Sequence, residues 1–236
     1  MRLSIVMPVY NEGQVIAETI TRVESAVKTQ HELLVVYDMD DDTTIPPVKK
    51  LQKKYPNVKL VKNKSKGALN ALKSGIEKAS GDVISIMMAD LTDDPRVLNQ
   101  MVKKYDQGFD IVAASRYMKG GKQIGGPLVK KFLTTTAGLS LYYLVGLPVH
   151  DATNSFRLYS KKFLDNVKIE SDGGFELAIE LTVKAHFRGY KVTEVPTIWT
   201  YLAKESRFDM KKWLPKYFKW YLWAVNQKLH GYPKPN

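Results

Sequence analysis

Asp82-Val83-Ile84-Ser85-Ile86-Met87-Met88-Ala89-Asp90 is the stretch that decides the architecture: a nearly continuous apolar run that stops on a carboxylate, with Asp93 and Asp94 just beyond it. Such a run reads as a strand buried on both faces, the habit of strands in a parallel sheet. Open α/β sheets bind ligands beyond the carboxyl ends of their strands, so Asp90 marks a candidate site. A second edge of the same kind lies earlier, where Leu33-Leu34-Val35-Val36-Tyr37 runs into Asp38-Met39-Asp40-Asp41-Asp42. Two strands ending in carboxylates point to one shared crevice. It would suit Mg²⁺ or Mn²⁺, which bind hard oxygen ligands together with substrate phosphates. Aspartates at strand-to-helix turns also serve as caps and turn formers, and either cluster alone is open to that reading.

Outward from these edges the pattern alternates. A first strand is expected over 2–9, a helix over 12–28 through Val15, Ile16, Ile20, Val23 and Val27, and a second strand over 33–37. A proline-led helix over 47–55, a short strand over 58–61 and a helix from Lys66-Gly67-Ala68 to Ala79 lead into the strand that carries Asp90. A helix over 97–107 and a strand over 110–114 follow, then a flexible loop marked by Gly120, Gly121, Gly125 and Gly126. Later elements are a strand over 155–159, a helix over 175–188 and a strand over 192–199. The alternation predicts an α/β fold with a mostly parallel central sheet flanked by helices.

With 236 residues and 44% hydrophobic content the chain can bury a substantial core, and disorder is excluded. It has no cysteine, so disulfides and thiolate chemistry are excluded, and His31, His150, His186 and His230 are too scattered for a zinc site. The N-terminal apolar run is broken by Pro8, Asn11 and Glu12 and does not read as a cleavable signal. Residues 132–149 carry no charge, but Thr134 to Thr136, Gly138, Ser140, Gly146 and Pro148 make them a poor membrane span, and a buried or interfacial helix is expected.

The net charge of +12 is uneven: from Lys204 onward eight Lys or Arg stand against Glu205 and Asp209. Within that stretch, Leu214, Tyr217, Phe218, Tyr221, Leu222 and Val225 fall at helical spacing among Trp213, Trp220, Trp223 and four lysines. Aromatics mixed with lysines describe a C-terminal amphipathic helix that lies on an anionic membrane surface; the alternative is a helix packed on its own domain. Residues 1–208 are read as one domain and 209–236 as this basic aromatic helix and tail.

Several motifs, in order along nearly the whole chain, give a family resemblance. Ile5-Val6-Met7-Pro8-Val9-Tyr10-Asn11-Glu12, Asp38, Lys66-Gly67-Ala68, Met88-Ala89-Asp90, Ser115-Arg116-Tyr117 and Asp151-Ala152-Thr153-Asn154-Ser155-Phe156-Arg157 resemble the motifs of family two glycosyltransferases, in the branch of dolichol-phosphate and polyprenyl-phosphate sugar synthases. The resemblance implies a GT-A type nucleotide-diphospho-sugar transferase fold. It implies that Pro8, Tyr10, Glu12, Asp38, Asp42, Lys66 and Ala89 meet the nucleotide donor, with Arg157 and Ser206 also at the donor or acceptor. Asp90 would hold the metal, while Asp90, Arg116, Asp151 and Arg207 would be catalytic and Lys204 could assist.

Two departures matter. Met88 stands where the family's Asp-x-Asp has its first aspartate, and a thioether is a poor ligand for Mg²⁺ or Mn²⁺, so a cation would lean on Asp90, the donor pyrophosphate, water, and Asp93 or Thr92. Tyr37-Asp38-Met39-Asp40 replaces the usual Asp-Asp-Gly-Ser wording and leaves the base, GDP or UDP, open. Glu180 and Glu194 match later landmarks and are equally read as loop-fixing carboxylates.

The implied reaction is inverting transfer of a sugar from a nucleotide-diphosphate sugar to a polyprenyl phosphate, for which no base is needed. A sugar hydroxyl acceptor would instead need one, with Asp151 the first candidate. A catalytically weak nucleotide-sugar-binding regulatory module is the alternative that Met88 motivates. Nucleic acid is not an expected partner, despite the charge, because no motif for it is present. The expected setting is cytoplasmic and peripheral at the membrane face, alone, as a homo-oligomer or with a separate membrane subunit.

Overall fold

The computed structural model describes residues 2–202 and 210–231, apart from the side chains of residues 210 and 211. Strands β1 (Leu3–Pro8), β2 (His31–Tyr37), β3 (Val58–Lys62), β4 (Val83–Ile86), β5 (Ile111–Ser115), β7 (Arg157–Ser160) and β8 (Val192–Pro196) form one sheet in the order β3-β2-β1-β4-β7-β5-β8. Neighbours pair in parallel except β7, which runs antiparallel between β4 and β5. Helices α1 (Ile16–Ala26), α2 (Ile45–Gln52), α3 (Ala68–Lys78), α4 (Val97–Asp106) and α7 (Leu177–Phe187) cover the sheet. This is the expected α/β architecture with a mostly parallel sheet.

Alternation along each strand divides the core into two layers. On β1, Leu3, Ile5 and Met7 join one buried cluster with Ile16, Ile20, Val23, Leu98 and Met101 of α1 and α4. Val6 joins the other, with Leu69 and Leu72 of α3 and Ile179 and Val183 of α7. Both faces being covered is why these strands read as continuous apolar runs.

The second half departs from the sequence expectations in three places. The expected strand over 192–199 is two strands: the ladder to β5 ends where the Thr197 amide donates to the Ser115 carbonyl at 3.0 Å, and β9 (Ile198–Thr200) leaves the sheet. Its partner is β6 (Lys122–Ile124), which lies inside the stretch read as a flexible glycine loop. A short helix, α6 (Lys161–Asp165), follows β7, with the Ser160 hydroxyl accepting from the Phe163 amide at 3.2 Å.

The uncharged stretch forms the end of α5 (Leu128–Ser140), a π-helical turn (Leu141–Val145) and a loop. Leu141, Val145, Leu147 and Val149 are buried, while Phe132, Tyr143 and Leu144 are exposed. Among the described residues no helix is long and apolar enough to cross a membrane.

Helix α8 (Met210–His230) is amphipathic as expected, and it also packs on the body of the chain. Trp220 and Ala224 are buried, and the Trp220 indole donates to the Ser171 hydroxyl at 3.2 Å while the Lys184 ammonium sits 4.8 Å from its ring centroid. Tyr217 donates to the Phe175 carbonyl at 2.7 Å, and Tyr221 donates to the Ser140 hydroxyl of α5 at 3.0 Å. The opposite face leaves Leu214, Phe218, Leu222 and Leu229 exposed. The packed-helix reading therefore holds for one face, and the other is an exposed apolar face. The domain boundary expected at residue 208 lies outside the described residues.

Candidate active site

The carboxyl ends of β1, β2, β4 and β5 open on a cleft of about 1250 Å³ whose far wall is built by α5, β9 and α8. Pro8, Tyr10, Glu12 and Asp38 line it at one end, Met88, Ala89, Asp90, Thr92 and Asp93 line its middle, and Arg116 and Lys130 stand beyond them. The Asp38 carboxylate accepts from Asn63 Nδ2 at 2.7 Å and from the Gly67 amide at 2.8 Å, tying the end of β2 to the start of α3. Gly67 adopts φ of 105°, a conformation that suits glycine and lets its N–H meet that carboxylate.

The turn after β4 is tight. Asp90 Oδ1 accepts from the Thr92 amide at 3.1 Å and from the Thr92 hydroxyl at 2.6 Å, and Leu91 between them has φ of 64°, in the left-handed region that costs a branched residue energy. Among the described residues no donor is bonded to Asp90 Oδ2. Asp93, only 5% exposed, has a buried Oδ1 with no hydrogen-bond partner. Burial first, and then the neighbouring Asp90 charge, push its carboxyl up to about 8, against the pull of Arg116 and of the Met88 backbone amide.

Arg116 is held by Asp151. Its Nε donates to Oδ2 at 2.7 Å, its Nη2 to Oδ1 at 3.0 Å and to the Thr153 hydroxyl at 3.0 Å. Burial opposes its charge, but the Asp151 carboxylate outweighs burial and raises the guanidinium above its ordinary value. Nη1 has no partner among the described residues, and the side chain lines the cleft, so this planar cation is fixed from behind with one edge to offer. Lys130 lines the cleft from α5, its ammonium lowered by burial and by Arg116 while Asp90 works in the other direction. One turn along, the Thr134 hydroxyl is 2.6 Å from the Tyr117 hydroxyl.

Of the residues singled out from sequence, Pro8, Tyr10, Glu12, Asp38, Ala89, Asp90 and Arg116 come together in this cleft. Asp42 does not. It is buried and accepts from the Asn11 amide at 3.1 Å and the Thr44 amide at 2.8 Å, stapling the loop after β1 to the loop after β2. Lys66 is exposed and outside the lining. Arg157 is fully buried behind the site, donating to Thr182 Oγ1 at 2.6 Å and to the Asn154 carbonyl at 2.8 Å.

Asp151 is also fully buried. Besides Arg116 it accepts from the Thr153 and Asn154 amides, and although burial raises its carboxyl, Arg116 more than offsets that and lowers it. A carboxylate so enclosed and so acidic is a positioning group for Arg116 and is not available as a general base. Glu180 and Glu194 fix loops, accepting from the Glu170 and Ser171 amides and from the His150 amide respectively. Ser206, Arg207 and Lys204 lie outside the described residues.

Sequence reasoning missed Lys130, Thr134, Trp199, Tyr201 and Phe175, all of which line the cleft. Only Lys130 and Thr134 carried a signal, the four-residue spacing that puts both on one face of a helix.

Among the described residues no group of three or more acidic, histidine or cysteine side chains is arranged to hold a metal ion. A divalent cation would nevertheless fit the middle of the cleft, where Asp90 offers a hard oxygen, the buried Oδ1 of Asp93 has no hydrogen-bond partner, and a diphosphate would complete the shell.

Comparison with known proteins places this geometry. The glucosyl-3-phosphoglycerate synthase of Mycobacterium tuberculosis, solved with Mn²⁺, UDP and glucosyl-3-phosphoglycerate, matches 100% of this chain and 81% of its own with a TM-score of 0.69 at 17% identity, so the fold is of the GT-A type. Residues 4–168 match glycosyl transferase family 2, and the chain belongs to that family. Among its relatives, the dolichol-phosphate mannosyltransferase of Pyrococcus furiosus is 31% identical over 217 residues, covering 89% of this chain and 60% of that protein. The polyprenol monophosphomannose synthase of Mycolicibacterium smegmatis is 28% identical over 230 residues, covering 93% and 86%. The chain thus spans about three fifths of the first relative's length.

Proposed function

We propose that the chain is the catalytic part of an inverting glycosyltransferase that moves a sugar from a nucleoside diphosphate sugar to a polyprenyl phosphate at a membrane surface. The observation that carries this reading is the polarity of the cleft. One end offers Tyr10, Glu12 and Asp38 to a base and ribose, the middle offers carboxylates, and the far end offers Arg116 and Lys130 beside an exposed apolar rim.

That rim is made by Leu128, Val129 and Phe132 on α5 and by Leu214, Phe218 and Leu222 on α8, with exposures between 47% and 81%. Exposed lysines, Lys131, Lys212 and Lys219, stand beside them. Apolar residues entering the headgroup layer, with lysines each worth roughly 1 kcal/mol against anionic lipid, would seat the cleft mouth on the bilayer. The two relatives named for dolichol-phosphate and polyprenol-phosphate sugar transfer support a lipid phosphate acceptor.

In this mechanism an anionic phosphate oxygen of the acceptor attacks the anomeric carbon from the face opposite the leaving group. The bond from that carbon to the donor phosphate breaks, and its electron pair leaves on the nucleoside diphosphate. No proton moves, so Arg116 and Lys130 need only position and neutralise the acceptor phosphate. Asp90 would hold a Mg²⁺ or Mn²⁺ ion, which would supply charge stabilisation to the departing diphosphate. A hydroxyl acceptor lacks support here, since Asp151 is enclosed.

The test is sugar transfer from GDP- and UDP-sugars to a short polyprenyl phosphate in mixed micelles. Arg116→Ala is expected to lower kcat/KM by roughly two orders of magnitude or more, and Lys130→Ala to raise the acceptor KM with a smaller effect on kcat. Full transfer by Arg116→Ala, or no transfer from any donor by the wild type, would overturn the reading.

A further inference from the structure

Met88 leaves this chain without a carboxylate at the position from which its family draws one, while a second carboxyl in the same cleft, Asp93, has an oxygen without a hydrogen-bond partner. Asp93 sits five residues further on, across the left-handed turn at Leu91, and lines the cleft together with Asp90 and Met88. It is 5% exposed, its Oδ1 has no hydrogen-bond partner, and its nearest charges are Asp90 and Arg116. A buried carboxyl with an orphaned oxygen beside a second carboxylate is a costly arrangement that a cation between them would relieve. The Met88 amide is close enough to Asp93 to favour its charged form, which puts that carboxyl against the backbone of the residue whose side chain cannot bind a hard ion.

We infer that Asp93 is the second protein ligand of the divalent cation, supplying from the far side of the turn the carboxylate missing at Met88. The ion would then be bound by Asp90 and Asp93 with the donor diphosphate, and Thr92 would orient Asp90 by its two hydrogen bonds. This rests on the proposed nucleotide-sugar reading for the identity of the diphosphate, and on the turn itself for the ligand set.

The experiment measures Mn²⁺ binding to the full chain by electron paramagnetic resonance of free Mn²⁺, with UDP or GDP present, together with the melting temperature in EDTA and in Mn²⁺. Asp93→Asn is expected to weaken Mn²⁺ binding at least about tenfold while leaving metal-free nucleotide binding within about twofold. Its melting temperature in EDTA should hold within a few degrees, because an amide of the same shape replaces a carboxyl whose buried oxygen has no partner, and its gain on adding Mn²⁺ should disappear. Met88→Asp introduced into that variant should restore most of the Mn²⁺ affinity, which a merely structural Asp93 would not allow. Wild-type Mn²⁺ affinity in Asp93→Asn, or no rescue by Met88→Asp, would overturn the assignment. Should Asp93→Asn fail to fold, Asp93→Glu decides: retained Mn²⁺ binding supports a ligand, and its loss in a folded Asp93→Glu with normal nucleotide affinity counts against one. Absence of nucleotide binding by the wild type would instead fault the donor reading, and would be seen before any variant is made.

Discussion

Glu32 illustrates how one residue sets a condition for the whole fold. It is 1% exposed on β2 and accepts from the Ser4 hydroxyl at 2.7 Å, the Ser80 hydroxyl at 2.6 Å, the Ser80 amide at 2.7 Å and Lys59 at 2.8 Å. Burial alone would raise its carboxyl, but the bonds from Lys59, Ser4 and Ser80 bring it down from 4.5 to about 2. Its folded value therefore lies below its unfolded one, and its stabilisation is complete above about pH 4.5 and is lost as pH falls from there toward 2. Glu32→Gln should cost roughly 1.5–3 kcal/mol at neutral pH and flatten the acid limb of a melting-temperature profile. An unchanged acid limb in that variant would assign the limb to other carboxylates. The same logic, with opposite use, separates Asp151 from Asp93: one buried carboxylate is saturated by donors and holds Arg116, the other is left short of them.

At the scale of an element, α8 has one face packed on the body of the chain and one turned to solvent, and the two can be tested separately. Trp220 is 3% exposed and is wedged between Ser171 and Lys184, so Trp220→Ala should lower stability by about 3–5 kcal/mol. Leu214, Phe218 and Leu222 touch solvent, and changing all three to Ser should leave the melting temperature within a few degrees of wild type. Sedimentation with anionic vesicles should show the reverse ranking: strong loss for the triple variant, and retained binding for whatever fraction of Trp220→Ala remains folded. Vesicle binding that survives the triple substitution would remove α8 from the membrane contact. The net charge of +12 adds an electrostatic component, which rising salt should weaken in wild type and variant alike.

Across the whole molecule, the cleft depends on how closely α3 lies on the sheet. Gly75 faces β1, and a Cβ there would stand 2.3 Å from Val6 Cγ1 and 3.1 Å from Val36 Cγ2, so the helix cannot carry a side chain at this point without moving away. The start of α3 also holds Asp38 through the Gly67 amide. Gly75→Ala is therefore expected to cost about 1–3 kcal/mol and, although outside the cleft lining, to weaken nucleotide binding measured by calorimetry. Lost stability with unchanged nucleotide affinity would mean that the Asp38 end of the cleft does not depend on the seat of α3.

Much of this protein was legible before any coordinates. Continuous apolar strands such as residues 83–87 can only belong to a sheet covered on both faces, because a strand with a wet face alternates, and the carboxylates at their ends mark the edge where open sheets bind ligands. The spacing of α8 likewise marked it as an amphipathic helix, but packing split its apolar stripe, burying Trp220 and bonding Tyr217 and Tyr221 to the body while Leu214, Phe218 and Leu222 face out. Tertiary structure alone decided which polar residues reach the cleft. Asp42, Arg157 and Asp151 look like site residues in a motif, yet each is turned into the protein by donors or acceptors from segments remote in sequence: the Asn11 amide, Thr182 and Arg116. Lys130 and Trp199 were brought in by packing of α5 and by the departure of β9 from the main sheet. Local pattern determines the period and burial of an element, whereas the partners of a polar group are set by contacts between distant segments, which no local pattern encodes.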